Sequence, residues 1–320
     1  MRIFVLALSG VFDSGLSVAV DTFSTANELA AVQGLTPLPF EVKTIGVRKR
    51  IRTANGLSAT VEPAGRLCRQ DWVIVPALNA KLPELLLQAL QRPDVRDALA
   101  WLRRSHELGV GVAAACGGTF LLAEAGILDG RAATTTWSLA PLFRQRYPRV
   151  ALDDSRMVVP AGRVVTAGAA MAHLDLALWL MRQHSPELAM QVARFLLIDQ
   201  RTSQAKYIIP DHLAHADPLI EKFERWAREN LPRGFSLQDA ARALAVGPRT
   251  LQRRTDAVLG KSPLAFFQDL RIERAQHLVA IGRDLEAIAS EVGYADGATL
   301  RTLLRRRLGQ GVRELRASRA

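Results

Sequence analysis

Two places in the chain carry residues whose type and spacing could do chemistry. The first is Cys116, which ends the apolar run VGVAAAC and is followed at once by Gly117, Gly118 and the helix-like segment TFLLAEAGIL. A strand that turns sharply into a helix presents the residue at its apex, and the helix N-terminus favours negative charge. A thiol placed there is expected to ionise below its usual range and to serve as a nucleophile or a ligand contact. A small apolar residue at a packed turn is the plainer reading of a lone cysteine. The second place runs from Phe235 to Arg316. Two similar units, SLQDAARALAVGPRTLQRR and DLEAIASEVGYADGATLRTLLRR, each open with an amphipathic helix, turn at a glycine (Gly247, Gly293) and continue into a second helix rich in Arg and Thr. Basic, hydroxyl and amide side chains along one exposed helix suit the phosphates and base edges of a major groove, in the layout of a helix-turn-helix used twice.

Charge is concentrated at the second place. The 320-residue chain has a formal net charge of +11, and from Arg233 to Ala320 there are 16 Lys and Arg against 9 Asp and Glu, an excess of 7. That excess points to a polyanionic partner, here double-stranded DNA, where charge alone would also fit a solvated basic face. Cys68 and Cys116 are too few for a disulfide framework and form no CxxC pair, so a reducing compartment is expected. His212 and His215, three apart, have no acidic or cysteine partner converging on them, and neither a metal nor another cofactor is expected. The N-terminal apolar run Ile3 to Leu8 is too short for a signal h-region or a membrane span, so the expectation is a cytoplasmic protein with no membrane contact.

Both places need elements to hold them. MRIFVLAL, FEVKTIG, DWVIVPAL and VGVAAAC read as strands, the apolar runs among them as strands buried on both faces. Helices are predicted over Leu16 to Leu29, Pro93 to Glu107, Ser138 to Tyr147, Ala170 to Gln183 and Pro186 to Asp199. Turns fall at Asn55-Gly56 and at Ala161-Gly162, the latter inside a hairpin MVVPAGRVVTAG. Strand and helix in alternation with short links predict an α/β, flavodoxin-like doubly wound sheet over residues 1–200. A linker at 201–217 and an all-α domain with two helix-turn-helix motifs at 218–320 follow. In that second domain Ser236 is a good N-cap and Pro248 a good first helical residue, which puts Arg249, Thr250, Gln252 and Arg253 on the exposed early part of a helix.

AAACGGTFLLAEAGILDGRAATTTW, together with VVTAGAAMAHLDLALWLM and the VDTFSTAN stretch of the first helix, resembles the PfpI-like class I glutamine amidotransferase superfamily, in the version carried by GlxA-type transcription regulators. That resemblance covers nearly the whole N-terminal domain. Phe235 to Arg316 resembles the AraC-type DNA-binding domain over its full length, with Gly260-Lys261-Ser262-Pro263 at its turn, LAFFQDLRIERAQHLV as its connecting helix, and Ile288, Ala289, Val292 and Gly293-Tyr294 in its second motif. Departures are Leu300, Leu304 and Thr255 where aromatics are usual and Val312 in place of a final Pro.

The resemblance implies an acidic residue from the first helical region beside the cysteine, by position Asp21, and in many relatives a histidine. The residue twenty after the cysteine, often His in related sequences, is Thr136, and the residue directly after it is Gly117. With the histidine missing at both places, acyl transfer is not expected. The implied arrangement is a non-enzymatic effector pocket lined by Asp21, Cys116, Gly117, Thr136 and His173. It would serve a DNA reader whose contacts are Arg249, Thr250, Gln252 and Arg253 in the first motif and Thr299, Arg301, Thr302, Arg305 and Arg306 in the second. A homodimeric transcription regulator answering to a small molecule is the expectation. The competing reading is a PfpI-like cysteine hydrolase or amidase with a DNA-targeting domain.

Overall fold

The computed structural model describes residues 1–199, 201–204, 207–208, 217–308 and 311–317, the side chain of Ala317 excepted. They belong to two compact units, Met1–Tyr207 and Ile208–Ala320.

The first unit begins with β1 (Arg2–Leu6), α1 (Asp13–Val32), β2 (Glu41–Gly46), the hairpin β3 (Arg50–Arg52) and β4 (Ser58–Thr60), the short β5 (Glu62–Pro63) and β6 (Trp72–Val75). It continues with α2 (Pro83–Leu90), α3 (Pro93–Glu107), β7 (Gly111–Ala115), α4 (Gly118–Glu124), β8 (Ala132–Ala133), α5 (Ala140–Arg146) and β9 (Ala151–Leu152). The hairpin β10 (Val158–Ala161) and β11 (Val164–Ala167), then α6 (Ala172–His184) and α7 (Pro186–Phe195), complete it. The main sheet has the order β10-β11-β7-β6-β1-β2-β5, parallel throughout except for the antiparallel edge strand β10.

The apolar runs explain this layering. Successive strand residues point to opposite faces, so a run without polar alternation must be covered twice. Phe4, Leu6, Val73, Val75, Val112 and Ala114 pack with α2, α3 and α4 on one side. Their neighbours Ile3, Val5, Ile74, Ala113 and Ala115 pack with α1, α6 and α7 on the other. The doubly wound, flavodoxin-like sheet is the one expected. Helix α2 and the short pairings of β5 and of β8 with β9 go beyond the sequence reading.

The first unit also runs past residue 200. Gln204 is fully buried, and its Nε2 donates to the Thr135 carbonyl at 2.9 Å. Arg201 forms an ion pair with Asp175, and Ser203 bridges to Arg156. These contacts hold 201–204 to the first unit, where a linker was expected. Of that linker, residues 209–216, with His212 and His215, lie outside the described residues.

The second unit contains, among the described residues, α8 (Pro218–Glu229), α9 (Leu237–Ala243), α10 (Pro248–Leu259), α11 (Pro263–Ala280), α12 (Leu285–Glu291), α13 (Gly297–Leu308) and α14 (Val312–Ala317). Side-chain N-caps start several of these: Asp217 for α8, Ser236 for α9, Ser262 for α11 and Asp284 for α12. Each accepts from backbone N–H groups that the helix itself leaves without a partner. Helix α11 is shared by two small cores. Phe266 and Phe267 pack with Phe223 and Phe235 towards its start, while Leu278 and Val279 pack with Ile288, Leu300 and Leu304 towards its end. Between them Arg271 is 7% exposed, donates to the Leu231 carbonyl at 2.9 Å and lies over the rings of Phe267 and Tyr294.

One turn differs from expectation. The left-handed residue of the first motif is Ala245 at φ 54°, whereas Gly247 has φ −74° and caps α10. In the second motif it is Gly293, at φ 76°, as expected.

Candidate nucleic-acid interface and cysteine elbow

In α10, Leu251, Thr255 and Leu259 recur at helical spacing and are buried, the Thr255 hydroxyl donating to the Leu251 carbonyl at 2.8 Å. That fixes the opposite face outward, and Arg249, Thr250, Gln252 and Arg253 are all exposed on it. In α13 the buried positions are Leu300 and Leu304, which fill the core in place of aromatics, and Thr299, Arg301, Thr302, Arg305 and Arg306 are exposed. The start of α13 is tied to α12: Glu286 accepts from the Gly297 N–H at 2.9 Å, and a Cβ at Gly297 would stand 2.8 Å from the same carboxylate.

Hydrogen bonding separates the exposed candidates into two groups. The Thr299 N–H and hydroxyl donate to Asp296 at 2.6 and 3.1 Å, and the Thr302 hydroxyl donates to the Ala298 carbonyl at 3.0 Å. Those hydroxyls keep acceptor capacity but their protons are used locally. The two bonds from Thr299 also hold the Asp296 carboxyl below its usual range. The arginines differ among themselves as well. Arg228, Arg254 and Arg274 form ion pairs with Glu224 and Glu273, Asp217, and Glu291 respectively, and so hold the unit together. Arg249, Arg253, Arg301, Arg305 and Arg306 have no ion pair among the described residues and keep their donors for an outside acceptor.

At the other place, β7 ends at Ala115 and Cys116 takes φ 54°, a left-handed conformation that costs a non-glycine residue about 1 kcal/mol. Packing imposes it. The Cys116 N–H donates to the Ala167 carbonyl at 2.9 Å, and its own carbonyl accepts from the Thr135 hydroxyl at 2.8 Å. Two residues on, a Cβ at Gly118 would meet the Val75 carbonyl at 2.3 Å, so α4 can start against β6 only with glycine there.

The structure brings Gly117 and Thr136 close enough to the thiol to favour its ionised form. It does not give the lowered thiol expected from the helix terminus. Burial pushes Cys116 up, Gly117 and Thr136 offset this in part, and no charged group among the described residues contributes. Asp21 is also corrected. It is exposed on α1, whereas Gly15 of the same helix packs against His173. Six residues along a helix separate Asp21 from Gly15 by about 9 Å and about 120° of rotation.

His173 is a satisfied core histidine. It is 1% exposed, its Nδ1–H donates to the Ala170 carbonyl at 2.6 Å, and its Nε2 accepts from the Ala77 N–H at 3.2 Å. Burial lowers its pKa to about 4, so it is neutral at physiological pH with both ring nitrogens engaged. Its contribution to the elbow is indirect, through the Ala77–Leu78 backbone that runs beside Gly117. Sequence reasoning missed Thr135 and Gly118, although both stand in the motifs that surround Cys116.

A model of the DJ-1/PfpI family matches residues 1–183, and a helix-turn-helix domain model matches residues 240–318. Among curated proteins, the chain is 29% identical over 184 residues to the HTH-type transcriptional regulator CdhR of Pseudomonas aeruginosa, covering 56% of this chain and 54% of that one. It is 27% identical over 213 residues to the HTH-type transcriptional regulator GlxA of Rhizobium meliloti, covering 64% of this chain and 63% of that one. The matched stretch thus spans little more than half the length of CdhR. Among solved structures, a THiJ/PfpI family protein from Pseudomonas syringae shares the fold at a TM-score of 0.51 and 17% identity, covering 76% of this chain and 90% of that one. With more than half its length matched by the family model, the chain belongs to the DJ-1/PfpI family, and it carries a helix-turn-helix domain after that region.

Proposed function

We propose that the protein is a sequence-specific DNA-binding regulator of transcription whose first unit senses a small molecule and pairs two copies into a homodimer. The observation that carries the reading is the pair of second helices, α10 and α13, each with exposed arginines that have no ion pair among the described residues, set at the two ends of one helix. Helix α11 has 18 residues and is about 27 Å long, which is of the order of the 34 Å between successive major-groove faces. Both helices can therefore reach one side of a duplex. Exposed Phe195 and Leu197 at the end of α7 give the first unit an apolar surface for a second copy.

Catalysis is not part of the reading. Cys116 has a raised thiol, and His173, the nearby imidazole, has both nitrogens engaged. The test is anisotropy titration on a duplex selected by the protein from random sequence, with unrelated duplex for comparison. Arg253→Ala and Arg301→Ala should each cost about 1–3 kcal/mol on the selected site and less on unrelated DNA. Arg306→Ala should weaken both alike and flatten the salt slope by about 1. Equal losses on both duplexes for all three variants would refute base reading by these helices.

A further inference from the structure

A cavity of about 470 Å³ opens in the first unit between α6, α7 and the edge strand β10, and Cys116 is not among its lining residues. Its lining is of two kinds. Trp179 and Met190 contribute apolar surface, while Arg156, Arg182, Arg194 and Arg201 supply cationic groups, and the spacings 179/182 on α6 and 190/194 on α7 put one of each kind on the same helix face. Two carboxylates, Asp175 and Asp199, also line it. Asp175 is already used, in an ion pair with Arg201. Arg156, Arg182 and Arg194 have no ion pair among the described residues. Asp175 also acts on Arg182, but two carboxylates cannot neutralise four guanidinium groups, so the cavity keeps a positive excess. Its size is that of a small-molecule site, and apolar lining with a few charged groups is the usual composition of one.

We propose that this cavity binds a small organic carboxylate, with the anionic group held by Arg182 and Arg194 and an apolar body against Trp179 and Met190. Guanidinium groups match a carboxylate with paired N–H donors, and the apolar lining selects against a bare inorganic anion. The place suits an input. Asp199, Arg201 and Thr202 line the cavity and belong to the last stretch of the first unit before its boundary at Tyr207. A ligand there clamps the segment that leads out of the unit. The proposal supplies the input that the regulator reading requires, but binding to the cavity stands or falls without any DNA in the assay.

The test is calorimetric titration of the full-length protein with octanoate and with 4-phenylbutyrate, using inorganic phosphate and octanol as comparison probes. Both carboxylates should bind with one site per chain, and phosphate and octanol should each bind at least about tenfold more weakly. Arg182→Gln and Arg194→Gln should each weaken octanoate about tenfold or more, the loss of one charge-assisted contact. Arg104→Gln, at an exposed arginine of α3, should leave the affinity unchanged. Because a variant that melts early would be uninformative, ligand-free melting is compared with wild type. Met190→Glu, which places a carboxylate in the cavity while keeping every arginine, should also abolish octanoate binding. No heat from either carboxylate, an equal loss in Arg104→Gln, unchanged binding in Met190→Glu, or phosphate or octanol binding as tightly as octanoate would each overturn the proposal. An effect of octanoate on DNA affinity, measured separately, tests only the coupling.

Discussion

Lowering the pH from 7 to 4 should destabilise the first unit through His173. The ring is 1% exposed, donates from Nδ1 to the Ala170 carbonyl and accepts at Nε2 from the Ala77 N–H. A Cβ at Gly15 would come within 2.7 Å of Nε2, so α1 leaves no space for a compensating group. Burial lowers the folded-state pKa to about 4 from the usual 6.5, and a proton on Nε2 would face the Ala77 N–H donor in place of an acceptor. Above pH 6.5 both folded and unfolded chains leave this imidazole neutral, and stability does not depend on it. Between about 6.5 and 4 the unfolded chain binds a proton that the folded chain refuses, so stability falls as the pH falls. Each pH unit in that window costs about 1.4 kcal/mol, or about 3 kcal/mol across it. Urea unfolding followed by tryptophan fluorescence reads mainly the first unit, which holds Trp72, Trp101, Trp137 and Trp179, four of the five tryptophans. His173→Gln should be less stable at pH 7 by about 1–3 kcal/mol, having lost at least one buried hydrogen bond. Its stability should nevertheless decline more slowly than that of wild type between pH 6 and 5, by about 1.4 kcal/mol per unit. Parallel declines in the two proteins would refute the account of His173 as a buried neutral ring.

Ala245→Gly should stabilise the second unit by about 1 kcal/mol, because exposed Ala245 holds φ 54° with a Cβ that glycine lacks; thermal melting of the unit checks it. Gly293→Ala should do the reverse and cost about 3 kcal/mol or more, since the new Cβ would lie 2.3 Å from the Arg271 guanidinium and 2.4 Å from the Leu231 carbonyl; the same melting curve reads it. At pH 7 iodoacetamide should modify exposed Cys68 well before Cys116, whose thiol burial pushes up; peptide mass spectrometry after brief labelling would show the order, and faster labelling of Cys116 would contradict it.

The parts of the molecule that could be read from the sequence are those in which one local signal fixes the answer. Continuous apolar runs announced the parallel strands, because burial on both faces leaves no polar alternation. Ser236 and Pro248 marked helix starts through local backbone chemistry, and the structure places both there. Asp21 was placed by likeness of position, yet the face of α1 that is buried depends on α6 and on His173, whose approach is permitted by Gly15, a residue with no side chain to give a signal. The turn of the first motif was assigned to Gly247 because glycine favours positive φ, while tertiary packing put that conformation on Ala245 two residues earlier. The cavity arginines at 156, 182, 194 and 201 come from separate segments with no common spacing, so only the folded chain assembles them.

The cysteine elbow shows why a strained residue at a strand end is weak support for catalysis by itself. A residue in the left-handed region persists only where its surroundings dictate it. Here they do so without any chemistry at the thiol: the Cys116 N–H and carbonyl are held by Ala167 and Thr135, and Gly118 sits where the Val75 carbonyl excludes any side chain. Those contacts belong to the join between β7 and α4, which the doubly wound sheet needs whether or not it hosts an enzyme. What a nucleophile needs in addition is a group that removes the thiol proton or stabilises the thiolate by charge. No charged group among the described residues acts on this thiol, and Gly117 and Thr136 do not outweigh burial. The elbow is therefore accounted for by the fold, and the proposed contacts with DNA and with a carboxylate rest instead on arginines of α10, of α13 and around the cavity beside α6 that have no ion pair among the described residues.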